Sequence, residues 1–270
     1  MHNKRIVITG GASGLGFALA QLAAKAGWRV CIVDRDEERG EAVISSLQRL
    51  QADSFFMPGD VTRIKDLEQV AEALTERWQG VDVVVNNAGV AQVGKLTDTS
   101  ISDWQWIIDI NLLGVVRGCK VFVPMLQQQG GGHIINVASM AGLLDVPNMS
   151  AYNATKAAVV SLSETLQNEL AGDNIHVAVA CPSFFKTNLG KGMRSNIEGM
   201  EAKLDKLMAS SKLNATDIAK SIMRTIERQQ SYTLPHRQGR FAWYLKRFLP
   251  RSWYRRILHK SVKKHDRSDS

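Results

Sequence analysis

The 270-residue chain predicts an α/β fold: one doubly wound parallel sheet with helices on both faces, followed by a basic amphipathic helical extension. Three observations predict it. Short β-branched runs alternate with longer segments of 3.6-residue periodicity through most of the chain, as parallel strands joined by right-handed helical crossovers require. The short runs are continuously apolar rather than alternating, which marks strands covered on both faces. The excess positive charge is confined to one end. Residues 231–270 hold 11 Lys+Arg against 2 Asp+Glu, whereas residues 1–230 hold 23 against 24.

In chain order, strands are read at Arg5–Ile8, Arg29–Val33, Ser54–Met57, Val81–Val85, His133–Ala138 and His176–Cys181. Helices are read near 14–26, 36–51, 63–79, 100–128 and 150–171, and another from about Thr216 to Glu227. Ser231–Pro235 is a candidate last strand. The expected division is 1–235 as the main domain, with a lid-like segment at about 186–212, and 236–270 as the extension.

Composition narrows the function classes. With 44% apolar and 22% charged residues, the chain is neither disordered nor collagen-like nor a small disulfide scaffold. Cys31, Cys119 and Cys181 are far apart and lack CxxC spacing, so buried free thiols in a reducing compartment are expected, and no metal site. No signal-peptide h-region and no apolar run of about 20 residues is present, so a cytoplasmic location is expected, with contact at a membrane surface left open.

The first strand ends in Thr9-Gly10-Gly11-Ala12-Ser13-Gly14-Leu15-Gly16, and an apolar helix begins there. A pyrophosphate must approach backbone N–H groups at the positive end of a helix, where a Cβ would block it. A plain structural turn would use the same glycines, but Asp34 closes the second strand, where a carboxylate can accept hydrogen bonds from the adenosine ribose. That carboxylate repels a 2′-phosphate, favouring NAD(H). Arg35 directly after it leaves NADP(H) open.

Ser139 follows the fifth strand, and Tyr152 and Lys156 come next at i and i+4 on one helix face. An ammonium beside a phenol favours the phenolate and is expected to lower its pKa, so that the tyrosine exchanges a proton with an alcohol or ketone. Taken alone, a YxxxK pair is an ordinary exposed pair. A strand-end serine before it in a dinucleotide fold changes that reading.

With these motifs in this order, residues 4–230 resemble the classical short-chain dehydrogenase/reductase family, whose sheet is of the Rossmann type. The resemblance is carried by the Thr9–Gly16 loop, Asp60-Val61, Asn86-Asn87-Ala88-Gly89, Asn111, Ser139, Tyr152 and Lys156. It implies Tyr152 as general acid/base, Lys156 lowering its pKa and holding the nicotinamide ribose, Ser139 orienting the substrate oxygen, and Asn111 holding a relay water. It also implies a cofactor site built from Gly10, Ser13, Gly14, Leu15, Gly16, Asp34, Arg35, Asp60, Val61, Asn87, Ala88, Gly89, Pro182, Phe185 and Thr187. Two departures stand out. Pro182-Ser183 replaces the usual Pro-Gly, and the chain after Pro235 does not end as many members do, which puts the usual tetramer in doubt. A homo-oligomer, dimer or tetramer, is still expected. A member that kept the fold and senses a dinucleotide without turnover is the alternative from another class.

The expected substrate pocket is apolar: Met140, Pro147, Met149, Phe184 and Met193, with methionines suited to an adaptable cavity. A lipophilic alcohol, aldehyde or ketone is the implied substrate, although the same side chains could simply pack the lid. In the extension, Phe241, Tyr244, Leu245, Phe248 and Leu249 recur at helical spacing. After Pro250, Trp253, Tyr254, Ile257, Leu258 and Val262 repeat the pattern among Arg251, Arg255, Arg256, Lys260, Lys263 and Lys264. Such a segment can dock on an anionic membrane surface, pack on the body or a second subunit, or, least favoured, bind nucleic acid.

Overall fold

The structure is a computed structural model that describes residues 3–186, 190, 192–250 and 252–254. In chain order the elements are β1 (Arg5–Thr9), α1 (Gly14–Lys25), β2 (Arg29–Asp34), α2 (Glu37–Gln48), β3 (Phe55–Pro58), α3 (Ile64–Trp78) and β4 (Val83–Asn86). Then come β5 (Gln92–Val93), α4 (Ile101–Ile108), α5 (Gly114–Gln128), β6 (Gly132–Val137), α6 (Ala141–Leu144), α7 (Ser150–Glu169) and β7 (Ile175–Ala180). The chain continues through β8 (Arg194–Ser195), α8 (Met200–Ala209), α9 (Ala215–Arg228), β9 (Tyr232–Thr233) and α10 (Arg237–Phe248).

The sheet order is β3-β2-β1-β4-β6-β7-β9, and every neighbouring pair is parallel. Alternate residues serve opposite faces. Ile6, Ile8, Val83, Val85 and Ile135 point into one apolar layer with α1, α2 and α9. Val7, Val84, Ile134, Val177 and Val179 point into the other, with α3, α5 and α7. This is the doubly wound sheet that the continuous apolar strands imply. Its two outer strands are short, and β3 ends in Pro58. Helix α9 begins in a capping box between Asn214 and Asp217.

The helix expected across 100–128 is interrupted. Residues Asp109–Leu113 form one π-helical turn between α4 and α5. A second, two-stranded sheet joins β5 to β8, placing Arg194 and Ser195 against the chain that follows β4.

All three cysteines are free and buried. Burial pushes the Cys119 and Cys181 thiols up to about 12 and Cys31 further in the same direction. None is poised as a thiolate. Among the described residues no helix is long and apolar enough to cross a membrane.

The extension divides its apolar residues between two faces. Trp243 packs beside Tyr232, with ring centres 5.5 Å apart, and joins the layer containing α7. The Lys246 ammonium donates to the Leu143 carbonyl at 2.7 Å and pairs with the Asp145 carboxylate at 2.5 Å. Phe241 and Phe248, which recur at helical spacing with Leu245 and Leu249, stay 64% and 76% exposed. Ile257, Leu258 and Val262, and the basic residues from Arg255 onward, lie outside the described residues, as does Arg251.

Candidate active site

The strand ends of a parallel sheet open a crevice where the strand order reverses, here between β1 and β4. A cleft of about 420 Å³ occupies that place, lined by Gly10, Ser13, Gly14, Leu15, Asp34, Arg35, Asp60, Val61, Asn87, Ala88 and Gly89 at one end. Tyr152, Lys156, Pro182 and Phe185 line its other end. Gly16 lies just outside the lining and acts by packing. A Cβ there would fall 2.3 Å from the Gly10 carbonyl oxygen and 2.7 Å from Asn87 Nδ2. Gly10 and Gly14 have φ of 63° and 53°, a region that favours glycine.

Ser13 is the N-cap of α1 but makes no side-chain cap bond, so the N–H groups of the first turn open toward the cleft. A backbone cradle that a Cβ would obstruct, at an uncapped helix N-terminus, fits a dinucleotide pyrophosphate.

Asn87 braces this loop. Its Nδ2 donates to the carbonyls of Thr9 (2.9 Å) and Gly10 (3.1 Å), while Thr9 Oγ1 accepts from the Asn87 and Ala88 amides. Asp34 accepts from the Ala12 amide at 3.1 Å and the Asp36 amide at 3.2 Å, which fixes its carboxylate at the cleft wall. Asp60 caps the next loop by accepting from the Thr62 amide at 2.8 Å. Beside Asp34 lies Arg39, a cleft residue the sequence reading missed; it pairs with Asp36 at 2.8 Å. Its position in the first turn of α2, directly after β2, was the available signal.

At the opposite end, the i and i+4 spacing on α7 brings Lys156 Nζ to 5.9 Å from the Tyr152 ring centre. Lys156 donates to the Val137 carbonyl at 2.9 Å. Ser139 stands above β6. Its Oγ accepts from the Ala141 amide at 3.1 Å, and its one proton serves either the Pro182 carbonyl at 3.4 Å or the Tyr152 oxygen. Asn111 sits in the π turn, fully buried. It accepts from the Val90 amide at 2.8 Å and donates to the Val90 carbonyl at 2.9 Å. Gly89 keeps the space between it and the lysine open, since a Cβ there would lie 3.1 Å from Asn111 Oδ1 and 3.4 Å from Lys156 Nζ.

The expected lowering of the tyrosine pKa is corrected by the structure. Burial is the largest influence on Tyr152 and holds its phenol above the ordinary value, with the Ser139 hydrogen bond pulling the other way. Burial also lowers Lys156 to about 8. Removing charge from water dominates at both side chains in this pocket.

The substrate-side residues separate. Met149 is buried beside Tyr152, with Phe184, Met193, Trp104, Trp106 and Met200 packed around them. The two tryptophans of α4 were not foreseen as neighbours of the tyrosine; only their apolar spacing hinted at it. Met140 departs from the expected pocket. It belongs to the layer beneath α10 and touches Gly239, whose missing Cβ would come within 3.1 Å of its Cε. Pro147 is exposed. Thr187 lies outside the described residues. Arg194 pairs with Asp103 at 3.0 Å and stacks 4.1 Å above the Trp106 ring. Among the described residues no group of three or more His, Cys, Asp or Glu side chains is placed to hold a metal ion.

A cleft of this form, with Tyr152 and Lys156 at one end and a glycine cradle at the other, has the lining that a nicotinamide dinucleotide would fit. The chain belongs to the short chain dehydrogenase family, whose model matches residues 4–198. It is 36% identical over 190 residues to a "CLA biosynthesis dehydrogenase/reductase" of Lactiplantibacillus plantarum, an alignment covering 69% of this chain and 66% of that protein. Among solved structures, a short-chain dehydrogenase/reductase from Burkholderia phymatum in complex with NAD superposes with a TM-score of 0.86 at 33% identity, covering 91% of this chain and 93% of the other. An alcohol dehydrogenase from Thermococcus sibiricus complexed with 5-hydroxy-NADP superposes with a TM-score of 0.73 at 26% identity, covering 84% and 91%. Both NAD and an NADP derivative therefore occur in this fold.

Proposed function

We infer that the protein transfers a hydride between a nicotinamide dinucleotide and the carbinol or carbonyl carbon of a lipophilic alcohol, aldehyde or ketone, with Tyr152 as general acid/base. The observation that supports this best is the convergence of Ser139, Tyr152 and Lys156 at one end of a cleft whose other end is the glycine cradle. The glycine loop and Asp34 would hold the adenosine half, and Lys156 and Pro182 the nicotinamide half. When bound, the cofactor donates or accepts the hydride.

The chain's own residues manage the proton. Tyr152 is held protonated by burial, the form that donates to a carbonyl oxygen as it becomes an alcohol. Ser139 offers its hydroxyl to the same oxygen and so orients the substrate. Lys156, brought down to about 8, is soft enough to relay a proton away from the phenol in the reverse direction. The apolar group around Tyr152, from Met149 to Met200, excludes water and suits a lipophilic substrate.

NAD(H) is the cofactor we favour, because the Asp34 carboxylate lines the cleft at the end of β2, where it would accept from ribose hydroxyls and repel a 2′-phosphate. Arg35 and Arg39 supply the opposing charge that would admit NADP(H). A cytoplasmic homo-oligomer working at a membrane surface completes the reading. The intact Ser–Tyr–Lys set argues against a dinucleotide sensor without turnover.

The test is Tyr152→Phe. We expect turnover to fall about 10²- to 10⁴-fold, with dinucleotide affinity nearly unchanged. Undiminished turnover of the alcohols and ketones that serve the unmodified enzyme would refute the assignment.

A further inference from the structure

Helix α10 has two faces, and only one is explained by packing. Gly239, Trp243 and Lys246 hold it to the body. Arg237, Arg240, Phe241, Tyr244, Arg247 and Phe248 are exposed on the other side. The Tyr244 and Phe248 rings stack at 6.3 Å and 17°, so they present one continuous apolar ridge. Trp253 extends it beyond Pro250 and is 62% exposed. Four large aromatic side chains held in water within one short segment are not needed for folding. No Asp or Glu occurs from residue 231 to 254, so nothing on this segment neutralises the three arginines. The nearby Asp145 is already paired with Lys246.

We propose that this face of α10 docks on the surface of an anionic lipid bilayer, the aromatic ridge entering the headgroup layer and Arg237, Arg240 and Arg247 meeting lipid phosphates. Three features select that occupant. The charge is complementary: the segment 231–270 carries more than the whole of the chain's positive excess, while residues 1–230 are slightly negative. The ridge is apolar along its length, with Arg240 and Arg247 along one side and Arg237 at its start, an amphipathic arrangement suited to a helix lying in an interface. Tyr244 already has a ring on each side, Trp243 at 5.1 Å and Phe248 at 6.3 Å, whereas a nucleic-acid platform would offer open ring faces to bases.

The inner face gives the docking a direction. Lys246 grips the end of α6, the helix that starts two residues after Ser139, and Gly239 rests on Met140 directly beside that serine. A bilayer meeting α10 would therefore lie close to the loop that borders the catalytic serine. This orientation rests on the function proposed above only for what the bilayer supplies, a lipophilic substrate. The docking itself does not depend on the chemistry.

The experiment is co-sedimentation of the full chain with vesicles of phosphatidylcholine alone and of phosphatidylcholine mixed with phosphatidylglycerol. Two variants are run beside it: Phe241→Ser with Tyr244→Ser and Phe248→Ser, and Arg237→Glu with Arg240→Glu and Arg247→Glu. Unchanged melting and dinucleotide binding establish that each is folded. We expect the unmodified chain to pellet with the anionic vesicles only, and each triple variant to partition at least about tenfold more weakly. The proposal is overturned if the unmodified chain stays in solution with anionic vesicles, or if the aromatic variant pellets as well as the unmodified chain. It is also overturned if that variant changes the oligomeric mass, which would assign the face to a second copy, or if duplex RNA rather than vesicles retains the chain. Vesicle binding without turnover of any lipophilic alcohol or ketone would remove the proposed function and leave the docking surface standing.

Discussion

Replacing Asn111 by alanine removes both arms of a buried clamp. Its Oδ1 accepts from the Val90 amide at 2.8 Å and its Nδ2 donates to the Val90 carbonyl at 2.9 Å, with no surface of its own exposed. Each backbone group left without a partner costs roughly 1–3 kcal/mol when buried. Val90 is only partly buried, so water recovers part of this and the lower end applies. The lost amide leaves a small void worth about 1 kcal/mol more, for a total of about 3 kcal/mol. In a chain of this size that lowers the melting temperature by about 10 °C. The Gly89 segment next to Val90 lines the cleft, so NAD(H) affinity should weaken by about tenfold as well. Urea unfolding, calorimetry and cofactor fluorescence titration read these quantities. Asn111→Asp keeps the acceptor but turns a second oxygen toward the Val90 carbonyl in a fully buried site, and should lose at least as much stability as the alanine variant. An alanine variant within about 0.5 kcal/mol of the unmodified protein, with unchanged cofactor affinity, would refute the clamp.

Three further outcomes are expected. Lys156 carries a folded-state value near 8 against an ordinary 10.5, so its buried charge weakens the fold at pH 7, and that cost disappears as pH rises through this window. Lys156→Met should therefore raise stability by on the order of 1–3 kcal/mol while abolishing most turnover, and a destabilised variant in urea would contradict this. His133 is pushed down to about 4 by burial, with Lys4 and His176 adding to the effect and Asp82 opposing it. Its neutral form is the folded one, so the stability it contributes is present above about pH 6.5 and lost as pH falls toward 4. After allowing for partial solvent access this amounts to about 2 kcal/mol, and His133→Gln should flatten the acid limb of urea midpoints by that amount. Asp34→Ala should raise affinity for NADP(H) about tenfold or more relative to NAD(H), and an unchanged ratio in paired titrations would remove Asp34 from cofactor selection.

The sheet was legible because both its faces are buried. A strand such as Val83–Asn86 has no reason to alternate, and a run of valines announces it. The glycine loop, Ser139, Tyr152 and Lys156 were legible because strand ends and i, i+4 spacing fix them without reference to the rest of the chain. What the sequence concealed depends on packing across long separations. The π turn at Asp109–Leu113 leaves the apolar pattern almost intact while turning the Asn111 amide toward Val90. Two-residue strands such as β5 and β8 have no period to detect. The direction of the tyrosine shift depends on how completely Met149, Phe184 and Met193 exclude water, which no local pattern encodes. In α10 the aromatic spacing suggested a single stripe, yet Trp243, outside that stripe, carries the contact with Tyr232.

The blunt borders of the main sheet bear on how the protein behaves when crowded. An outermost strand with a long row of free amides and carbonyls can recruit a strand from another molecule and seed an aggregate. Here one border has four residues and closes on a proline that has no amide to give, and the other has only two. A chain that accumulates on a crowded surface through α10 would meet its copies at high local density, and its sheet would give them little to zip onto.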